Sequence, residues 1–214
     1  KRDISAIGYA GITLDHRPNL KKSLYLGNPE MLSSMLSIPV ISDFRQTDID
    51  AGGQGAPLTG LFHKYLNTIT NKDLIYLNLG GFANVSIPNK SKLISYDTGP
   101  ANYLIDTWCR EKFDIEFDLN GRLASMGEID SEVLKLMLKD KYFIKKPPKS
   151  TGFELFNMSW VKEHLKKTSF SRDINILATL TYLTVITVSN DINKYRSKSN
   201  SIFFYGGGAF NKLI

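Results

Sequence analysis

The chain has 214 residues, of which 42% are hydrophobic and 22% charged, a balance that is ordinary for a globular protein. Its net charge of +6 comes from scattered lysines, a distribution more typical of a solvated surface than of a nucleic-acid-binding groove. The most apolar run, residues 174–192, is interrupted by Thr, Tyr, Ser and Asn, so we expect no membrane-spanning segment. The single cysteine, Cys109, excludes an internal disulfide and favours a reducing compartment, the cytoplasm.

Short strands and longer helices are predicted along the chain, bounded by Gly, Pro, Asn or Asp. Apolar runs predict strands over residues 4–9, 24–26, 38–42, 74–79, 84–88, 92–96 and 202–205. Helical spacing of apolar residues predicts helices over residues 29–37, 57–67, 101–113, 130–140, 158–167 and 173–195. Strands grouped in hairpins, followed by helices and another strand, indicate an α/β fold with a mixed sheet.

The two ends of the sequence suggest a piece of a larger protein. A predicted strand begins almost at the first residue, and Ile214 follows closely on a Gly-rich turn that is expected to open a helix. We therefore expect a fold that is incomplete at both ends. Residues 1–96 are predicted to hold the remainder of an N-terminal α/β domain running into a hairpin of the second domain, with the boundary near residue 70. Residues 97–214 are predicted to form a C-terminal α/β domain.

The first polar cluster, Asp43 to Asp48, leads into a glycine-rich segment at residues 51–57. Alternation in an extended chain would place the side chains of Asp43 and Arg45 on one side. A neighbouring arginine keeps a carboxylate ionised, and an ionised carboxylate can take a proton from a hydroxyl or a water. The glycines allow the backbone to approach a ligand closely. An ion pair that closes a turn is the alternative interpretation.

The second cluster joins Gly80-Gly81, between two predicted strands, to Asp97-Thr98-Gly99 before a predicted helix. A glycine hairpin tip exposes backbone N–H groups that suit phosphate oxygens. The N-terminus of the following helix favours an anion, and the nearby Asp97 could hold a hydrated Mg²⁺ ion. Two ordinary turns with a helix cap are the alternative.

The third cluster is Gly206-Gly207-Gly208, which follows an aromatic strand. Consecutive glycines allow close backbone contact with a flat ligand such as a nucleotide base and ribose. The pattern is neither a Rossmann fingerprint nor a P-loop, because no matching glycine spacing or Gly-Lys-Ser/Thr sequence is present. A flexible turn near the end of the chain is the alternative.

Several motifs occur in one order over essentially the whole chain. They are Leu26-Gly27-Asn28-Pro29, Asp43-Phe44-Arg45 with Asp48 and residues 51–58, Asn78 to Val85, Asp97-Thr98-Gly99-Pro100, Pro147 to Gly152 with Glu154-Leu155-Phe156-Asn157, Ala178-Thr179-Leu180-Thr181, and Gly206 to Asn211. Each motif alone is common, but the joint pattern is specific. Together they resemble the anhydro-N-acetylmuramic acid kinase family of the actin/hexokinase-like ATPase superfamily.

The resemblance implies a ribonuclease H-like fold of two α/β domains, with mixed sheets flanked by helices and ATP bound between the domains. It implies the ATP-dependent conversion of 1,6-anhydro-N-acetylmuramic acid to N-acetylmuramic acid 6-phosphate in murein recycling, with Mg²⁺. In this interpretation Asp43 activates a water that attacks the anomeric carbon, and O6 takes the γ-phosphoryl group as the anhydro bridge opens. The implied partners are therefore a small amino sugar and ATP, without nucleic acid or membrane, and a homodimer is left open.

The resemblance also assigns roles to individual residues. Asp43 takes the position of the catalytic base. Sugar binding is assigned to Arg45, Asp48, Gln54 and Thr13. ATP binding is assigned to Gly80, Gly81, Asn84, Asp97, Thr98, Gly99, Asn102, Gly206, Gly207, Gly208 and Asn211.

The sequence departs from the family pattern in several places. Residues 9–13 read Tyr-Ala-Gly-Ile-Thr where the family usually has Ser-His-Gly-Gln-Thr. Phe153 replaces a usual Arg, Tyr182 replaces an acid, and the family's N-terminal Gly-Thr-Ser-x-Asp-Gly phosphate loop does not occur in these residues. Lost hydrogen-bonding groups weaken a sugar site. Two alternatives therefore stay open: a non-catalytic, degenerate remnant of the kinase, and a related sugar kinase with altered sugar specificity.

Overall fold

The computed structural model describes residues 3–89, 92–169, 171–196 and 201–214. The strands in these ranges are β1 (Ile7–Gly8), β2 (Ile12–Arg17), β3 (Lys22–Leu26), β4 (Val40–Ile41), β5 (Ile75–Leu79), β6 (Phe82–Asn89), β7 (Lys92–Pro100) and β8 (Ile202–Tyr205). The α-helices are α1 (Pro29–Leu36), α2 (Phe44–Asp50), α3 (Gly60–Thr70), α4 (Asn102–Phe113), α5 (Ser131–Met137), α6 (Met158–Leu165) and α7 (Asp173–Tyr195). Short 3-10 turns include Leu119–Gly121 and Gly207–Phe210.

Side-chain caps explain where three of the helices begin. Asn28, Asp130 and Asn157 each accept hydrogen bonds from backbone N–H groups in the first turn of α1, α5 and α6, respectively. Such a cap satisfies an N–H group that has no partner within the helix, and each contributes about 1 kcal/mol. The predicted starts of these helices are therefore correct to within one residue.

The chain forms two compact units, residues 1–58 and 59–214. In the first unit, β1 pairs with β4 in parallel, and β2 pairs with β3 as an antiparallel hairpin. Among the residues described in this unit, Ile49 of α2 is the one apolar side chain that is fully buried. The first unit therefore has a small core. The predicted division into domains at residue 96 stays a prediction.

The second unit is built on a four-stranded mixed sheet with the order β7-β6-β5-β8. Strands β5, β6 and β7 are antiparallel, and β8 runs parallel to β5. On β6, Ser86 bonds to His63 of α3, whereas Val85 and Ile87 belong to a buried cluster with Val188 of α7. Because successive side chains of a strand point to opposite faces, α3 and α7 cover opposite faces of the sheet. The predicted α/β class, with mixed sheets flanked by helices, is confirmed.

A second core lies among α4, α5, α6 and α7. At its centre the fully buried Phe156 stacks on Phe143 and meets the rings of Tyr142 and Trp160 edge-on. Aromatic pairs of these geometries add to the stabilisation from burial alone. Within the part of the chain that the structure describes, no helix is both long and apolar enough to span a bilayer.

Among the described strands and α-helices, the sequence-based prediction missed one strand and one helix, both in the first unit. The hairpin strand β2 has an irregular register between Thr13 and Asp15, which breaks the alternation by which a strand is recognised. Helix α2 has the sequence Phe-Arg-Gln-Thr-Asp-Ile-Asp, which lacks an apolar stripe, so it was predicted as extended chain. The other elements occur where predicted, with ends displaced by a few residues.

A buried histidine connects α3 to the sheet. His63 is 5% exposed, and its ring nitrogens lie 2.8 Å from Ser86 Oγ and 3.3 Å from the Tyr205 hydroxyl. Its ring stacks on Tyr76 at 4.2 Å. Burial lowers the pKa of His63, because the cation loses hydration.

Since the folded pKa lies below the unfolded value of about 6.5, the contribution of His63 to stability is present in full above that pH. It is lost as the pH falls towards and through the folded pKa. We expect the urea midpoint of unfolding to fall between pH 7.5 and pH 5, and to fall less steeply in His63→Gln, which does not titrate. Equal slopes for the two proteins would contradict a buried neutral histidine.

Candidate functional site

Asp43 lies at the turn between β4 and α2, where it takes the left-handed conformation with φ 62°. The strand ends at Ile41, and Asp43 precedes the first residue of the helix, so Arg45 already lies in the first turn of α2. The expected extended chain, with its alternation, is therefore wrong over these residues, although Asp43 and Arg45 do line one crevice. Among the described residues, no ion pair joins the two side chains.

The Asp43 side chain lines a narrow crevice within the first unit, together with Ala10, Tyr25 and Phe44. Desolvation, and next a hydrogen bond to the Asp43 side chain, raise the pKa of the Tyr25 phenol. The phenol is therefore protonated at neutral pH and donates to the carboxylate. Thr13 lies directly opposite Tyr25 in the β2–β3 hairpin, which brings it to the same strand pair. Sequence reasoning missed Tyr25, since a single tyrosine on a short strand carries no functional signal.

Arg45 and Asp48 both bind the backbone of Gly55. Arg45 Nη1 donates to the Gly55 carbonyl at 2.7 Å, and the Asp48 carboxylate accepts the Gly55 N–H at 2.7 Å. Arg45 and Asp48, both assigned to sugar binding from the sequence, thus hold the glycine-rich segment that contains Gln54. Arg45 Nε is buried and has no hydrogen-bond partner within the described part of the chain, so this donor of the guanidinium is unsatisfied.

In the second unit, the hairpin tip between β5 and β6 packs against the start of α4. The Gly81 carbonyl accepts the N–H groups of Ala101 and Tyr103, and the Gly80 carbonyl accepts that of Asn102, at 3.0 to 3.1 Å. These three N–H groups belong to the start of the helix that the sequence suggested for phosphate binding. They have internal partners, so a phosphate here would need other donors.

Four more of the predicted residues lie on β6 and β7, namely Asn84, Asp97, Thr98 and Gly99. Asn84 pairs with Asp97 across the two strands. The Asp97 carboxylate is 7% exposed and accepts the Thr151 N–H at 3.0 Å, which connects β7 to the loop at residues 145–152. The Thr98 hydroxyl is fully buried and donates to the Ala83 carbonyl, so this side chain stabilises the sheet.

A buried ion pair anchors the same loop. Lys149 Nζ lies 3.0 Å from Asp191 Oδ2, with side-chain exposures of 2% and 6%, and Lys194 reaches the other carboxylate oxygen at 2.8 Å. Burial lowers the pKa of Lys149, and the hydrogen bond to Asp191 opposes this shift. The Lys149 carbonyl also accepts the Asp97 N–H. The ion pair therefore holds the loop against β7 beside Asp97.

The glycines that follow β8 approach the end of β5 closely. Gly206 has φ 89°, and a Cβ atom there would lie 2.6 Å from Asn78 Oδ1 and 2.8 Å from the Leu79 carbonyl oxygen. Backbone atoms of β5 cannot move away without breaking the sheet. A side chain at Gly206 is therefore excluded both by backbone conformation and by space.

We expect Gly206→Ala to destabilise the second unit by about 2–4 kcal/mol, from the left-handed conformation and the clash together. Gly52→Ala is the matched control, because Gly52 has φ 91° but no atom lies within 4 Å of the place that a Cβ atom would take. It should show only the conformational cost of about 1–2 kcal/mol. Urea unfolding measures both, and equal losses would contradict the close approach of Gly206 to β5.

A cavity of about 490 Å³ lies next to this turn, within the second unit. Four residues that the sequence assigned to ATP line it: Asn102, Gly207, Gly208 and Asn211. The lining also includes residues that sequence reasoning missed, namely Ile105, Asp106, Phe117, Asp118, Leu119, Asn120 and Phe210. Of these, Asp106 follows Asn102 at helical spacing, and that spacing was the available signal. Ile105 lies on the same helix, and the remaining residues lie in loops and short 3-10 turns, which no periodicity predicts.

Comparison with known proteins decides the family. The family model described as anhydro-N-acetylmuramic acid kinase matches residues 1–214. The chain belongs to the anhydro-N-acetylmuramic acid kinase family. Among similar relatives, the anhydro-N-acetylmuramic acid kinase of Pseudomonas syringae pv. syringae is 38% identical over 99% of this chain and 58% of its own length. That of Shewanella loihica is 40% identical over 99% of this chain and 58% of its own length. The chain thus spans less than two thirds of these relatives.

A solved structure also resembles the chain, at a much lower level. The activator of the 2-hydroxyisocaproyl-CoA dehydratase from Clostridium difficile with bound ADPNP matches with a TM-score of 0.45 and 11% identity, over 90% of this chain and 73% of that one. A likeness at this level supports no inference about this member of the anhydro-N-acetylmuramic acid kinase family.

The places where this chain departs from the anhydro-N-acetylmuramic acid kinase pattern lie in different surroundings. Ala10 lines the crevice beside Asp43. Tyr9 fits only because Gly27 has no side chain, since a Cβ atom at Gly27 would overlap the Tyr9 hydroxyl. Phe153 is 58% exposed, and Tyr182 lines a separate cavity with Ala124 and Ala178. Of the departures, only the change at residues 9–10 adjoins Asp43 in the described structure.

The structure also allows a test of how Mg²⁺ would fit. Within the described residues, no group of three or more His, Cys, Asp or Glu side chains could hold a metal ion. Kinase sites hold Mg²⁺ through one or two carboxylates, waters and the nucleotide phosphates, so a cluster of three is not required. Asp97 offers such a carboxylate, and the Thr151 hydroxyl beside it is buried without a hydrogen-bond partner among the described residues. The donor set fits a hydrated ion.

Proposed function

We propose that this chain provides the sugar- and ATP-binding parts of an anhydro-N-acetylmuramic acid kinase. The observation that carries the proposal is the cavity in the second unit, which gathers four residues assigned to ATP from sequence: Asn102, Gly207, Gly208 and Asn211. Asn102 is more than 100 positions from the other three in the sequence, and they meet because β8 joins the sheet beside β5. The cavity volume of about 490 Å³ is in the range of ordinary ligand pockets.

On the sugar side, Asp43 is the proposed general base. Its carboxylate takes the proton of a water as that water bonds to the anomeric carbon of 1,6-anhydro-N-acetylmuramic acid. The C1–O6 bond of the anhydro bridge breaks, O6 takes the γ-phosphoryl group of ATP, and ADP leaves. Tyr25 donates a hydrogen bond to the carboxylate, which orients it. Arg45 and Asp48 act through the Gly55 backbone and hold the glycine-rich segment in place. Gln54 and Thr13 stay proposed contacts to the sugar.

On the ATP side, we assign the adenosine to the cavity beside the Gly206–Gly208 turn. Glycines allow the backbone to contact the nucleotide, and the apolar side chains of Phe117, Leu119 and Phe210 supply a surface for the base. Gly80, Gly81, Asn84, Thr98 and Gly99 stay proposed parts of the phosphate-binding region. Asp97 would hold Mg²⁺, which when bound neutralises charge on the phosphates. We further propose a cytoplasmic protein, and we leave a homodimer open.

One observation favours a second candidate, a related sugar kinase or a remnant without turnover. The crevice beside Asp43 contains Ala10, at a position where the family usually has a histidine. The methyl group of Ala10 cannot form a hydrogen bond, so a sugar hydroxyl that the family binds there would lose a partner. The crevice would then bind a sugar of different shape, or it would bind no sugar.

The test measures ADP release by the chain in a coupled assay, with and without 1,6-anhydro-N-acetylmuramic acid. The proposal expects release that depends on this sugar. Glucose and N-acetylglucosamine in parallel reactions test the related-kinase alternative, which expects release with one of them instead. Calorimetric titration with ATP forms the second arm. ATP binding without release for any sugar would favour the remnant, and absence of both would contradict the proposal.

A further inference from the structure

The cavity in the second unit contains a carboxylate for which the described residues provide no partner. Asp106 lies on α4, one helical turn after Asn102, and both residues line the cavity. Residues four apart lie on the same face of a helix, so Asp106 and Asn102 share the face of α4 that borders the cavity. Its side chain is half-buried.

Within the described part of the chain, no hydrogen bond or ion pair reaches the Asp106 carboxylate. The nearest candidate, Arg110, is directed elsewhere, because its guanidinium donates to the Glu116 carbonyl and to Thr107 Oγ1. Burial raises the pKa of Asp106, and the charge of Arg110 opposes this shift only in part. The carboxylate has therefore lost hydration without gaining a donor.

A second carboxylate in the same lining shows the contrast. Asp118 is 6% exposed, and its two oxygens accept the N–H groups of Leu123 and Ala124 at 2.8 and 2.9 Å. Asp118 thus stabilises the loop at residues 118–124. Asp106 has no such structural task among the described residues, although a half-buried carboxylate without donors costs free energy.

The charge of Asp106 determines which part of a nucleotide could lie beside it in the cavity. An ionised carboxylate repels phosphates, so the triphosphate of a nucleotide is excluded as its neighbour. It attracts neutral hydrogen-bond donors, and a nucleoside carries these as ribose hydroxyls and as the exocyclic amine of adenine. The same lining offers apolar surface from Ile105 and Phe117 for the base. The donors of ATP thus fit Asp106 at the nucleoside end.

We propose that Asp106 recognises the nucleoside of ATP by accepting hydrogen bonds from its hydroxyl or amino donors, and so determines nucleotide specificity. This inference rests on the proposed function, in which the cavity holds adenosine. A hydrogen bond to a charged group is stronger than one between neutral groups, so its loss weakens binding appreciably.

The experiment measures the affinity of the full chain for ATP by calorimetric titration, with Asp106→Ala and Asp106→Asn beside the unmodified protein. We expect about a 10- to 100-fold weaker affinity in the alanine variant, from the loss of a hydrogen bond to a charged group. Glu111→Gln is the matched control. It removes an acid from the same helix, and the Glu111 carboxylate pairs with Lys162 and does not line the cavity. It should bind ATP as the unmodified protein does.

Two analogues identify the donor. If 2′-deoxy-ATP binds the unmodified protein at least 10-fold more weakly than ATP, but binds Asp106→Ala as ATP does, the donor is a ribose hydroxyl. The same pattern with inosine triphosphate identifies the exocyclic amine. Thermal unfolding at pH 7 shows that the variants fold, and we expect no loss of stability, because the raised pKa means that the ionised carboxylate opposes folding.

Two results would overturn the inference, and only one of them would also overturn the proposed function. If Asp106→Ala binds ATP as tightly as the unmodified protein, Asp106 has no role in recognition, while the proposed function stands. If the unmodified protein binds no ATP, the assignment of adenosine to the cavity fails, and the role of Asp106 fails with it.

Discussion

Replacement of Asp43 by asparagine is expected to lower sugar-dependent ADP release by about 10²- to 10⁴-fold, the usual contribution of a general base. The amide cannot accept the proton of the attacking water. Asparagine tolerates the left-handed conformation of this position, with φ 62°, so the substitution should leave the turn between β4 and α2 intact. The coupled assay measures turnover, and calorimetry should show an unchanged affinity for ATP.

A surface aspartate of the same unit provides the control. Asp15 lies on β2 and pairs with the exposed Arg17. Asp15→Asn should change turnover by less than about twofold, because exposed ion pairs contribute little. If Asp43→Asn retained the turnover of the unmodified chain, Asp43 would not be the base. If it lost ATP binding as well, the substitution would have altered more than proton transfer.

Replacement of Asp191 by asparagine is expected to lower the free energy of unfolding by about 3–5 kcal/mol, the usual cost of breaking a buried ion pair on one side. The variant leaves Lys149, which is 4% exposed, without its counter-charge. Burial already lowers the pKa of Lys149, so the ammonium without Asp191 would lose its proton more readily. Urea unfolding measures the change.

Lys194 allows a comparison within the same cluster. It bonds to the other oxygen of Asp191, but its side chain is 48% exposed. Lys194→Met should therefore cost no more than about 1 kcal/mol, as exposed ion pairs do. Equal losses in Asp191→Asn and Lys194→Met would contradict the claim that burial makes the Lys149–Asp191 pair costly to break. Because the Lys149 carbonyl accepts the Asp97 N–H, we also expect Asp191→Asn to weaken hydrogen-exchange protection at Asp97.

Regular elements with strong periodicity could be predicted from the sequence. Helix α7 was predicted with its observed ends because its apolar residues recur at helical spacing over 23 positions. Strand β8 was likewise predicted correctly, since an aromatic run ends at three glycines. The parallel pairing of β8 with β5 could not be predicted, because it joins segments far apart in the sequence. That pairing is what brings Gly207 and Gly208 to Asn102.

The details of the candidate site depend on backbone conformations that no sequence pattern records. Asp43 and Arg45 are separated by a turn into α2, and the left-handed φ of Asp43 is unusual for a residue other than glycine. The contact of Tyr25 with Asp43 joins β3 to this turn and has no sequence signal. The roles assigned to Arg45 and Asp48 came from the resemblance, and their shared attachment to Gly55 emerges only in three dimensions.

The most direct test of the central claim is product identification. The chain would be incubated with ATP, Mg²⁺ and 1,6-anhydro-N-acetylmuramic acid. The products would be separated and identified by mass spectrometry. We expect one N-acetylmuramic acid 6-phosphate for each ADP formed, and none when ATP or the chain is left out. Formation of ADP and inorganic phosphate without a phosphorylated sugar, or no consumption of ATP at all, would contradict the assignment of this chain as a working anhydro-N-acetylmuramic acid kinase.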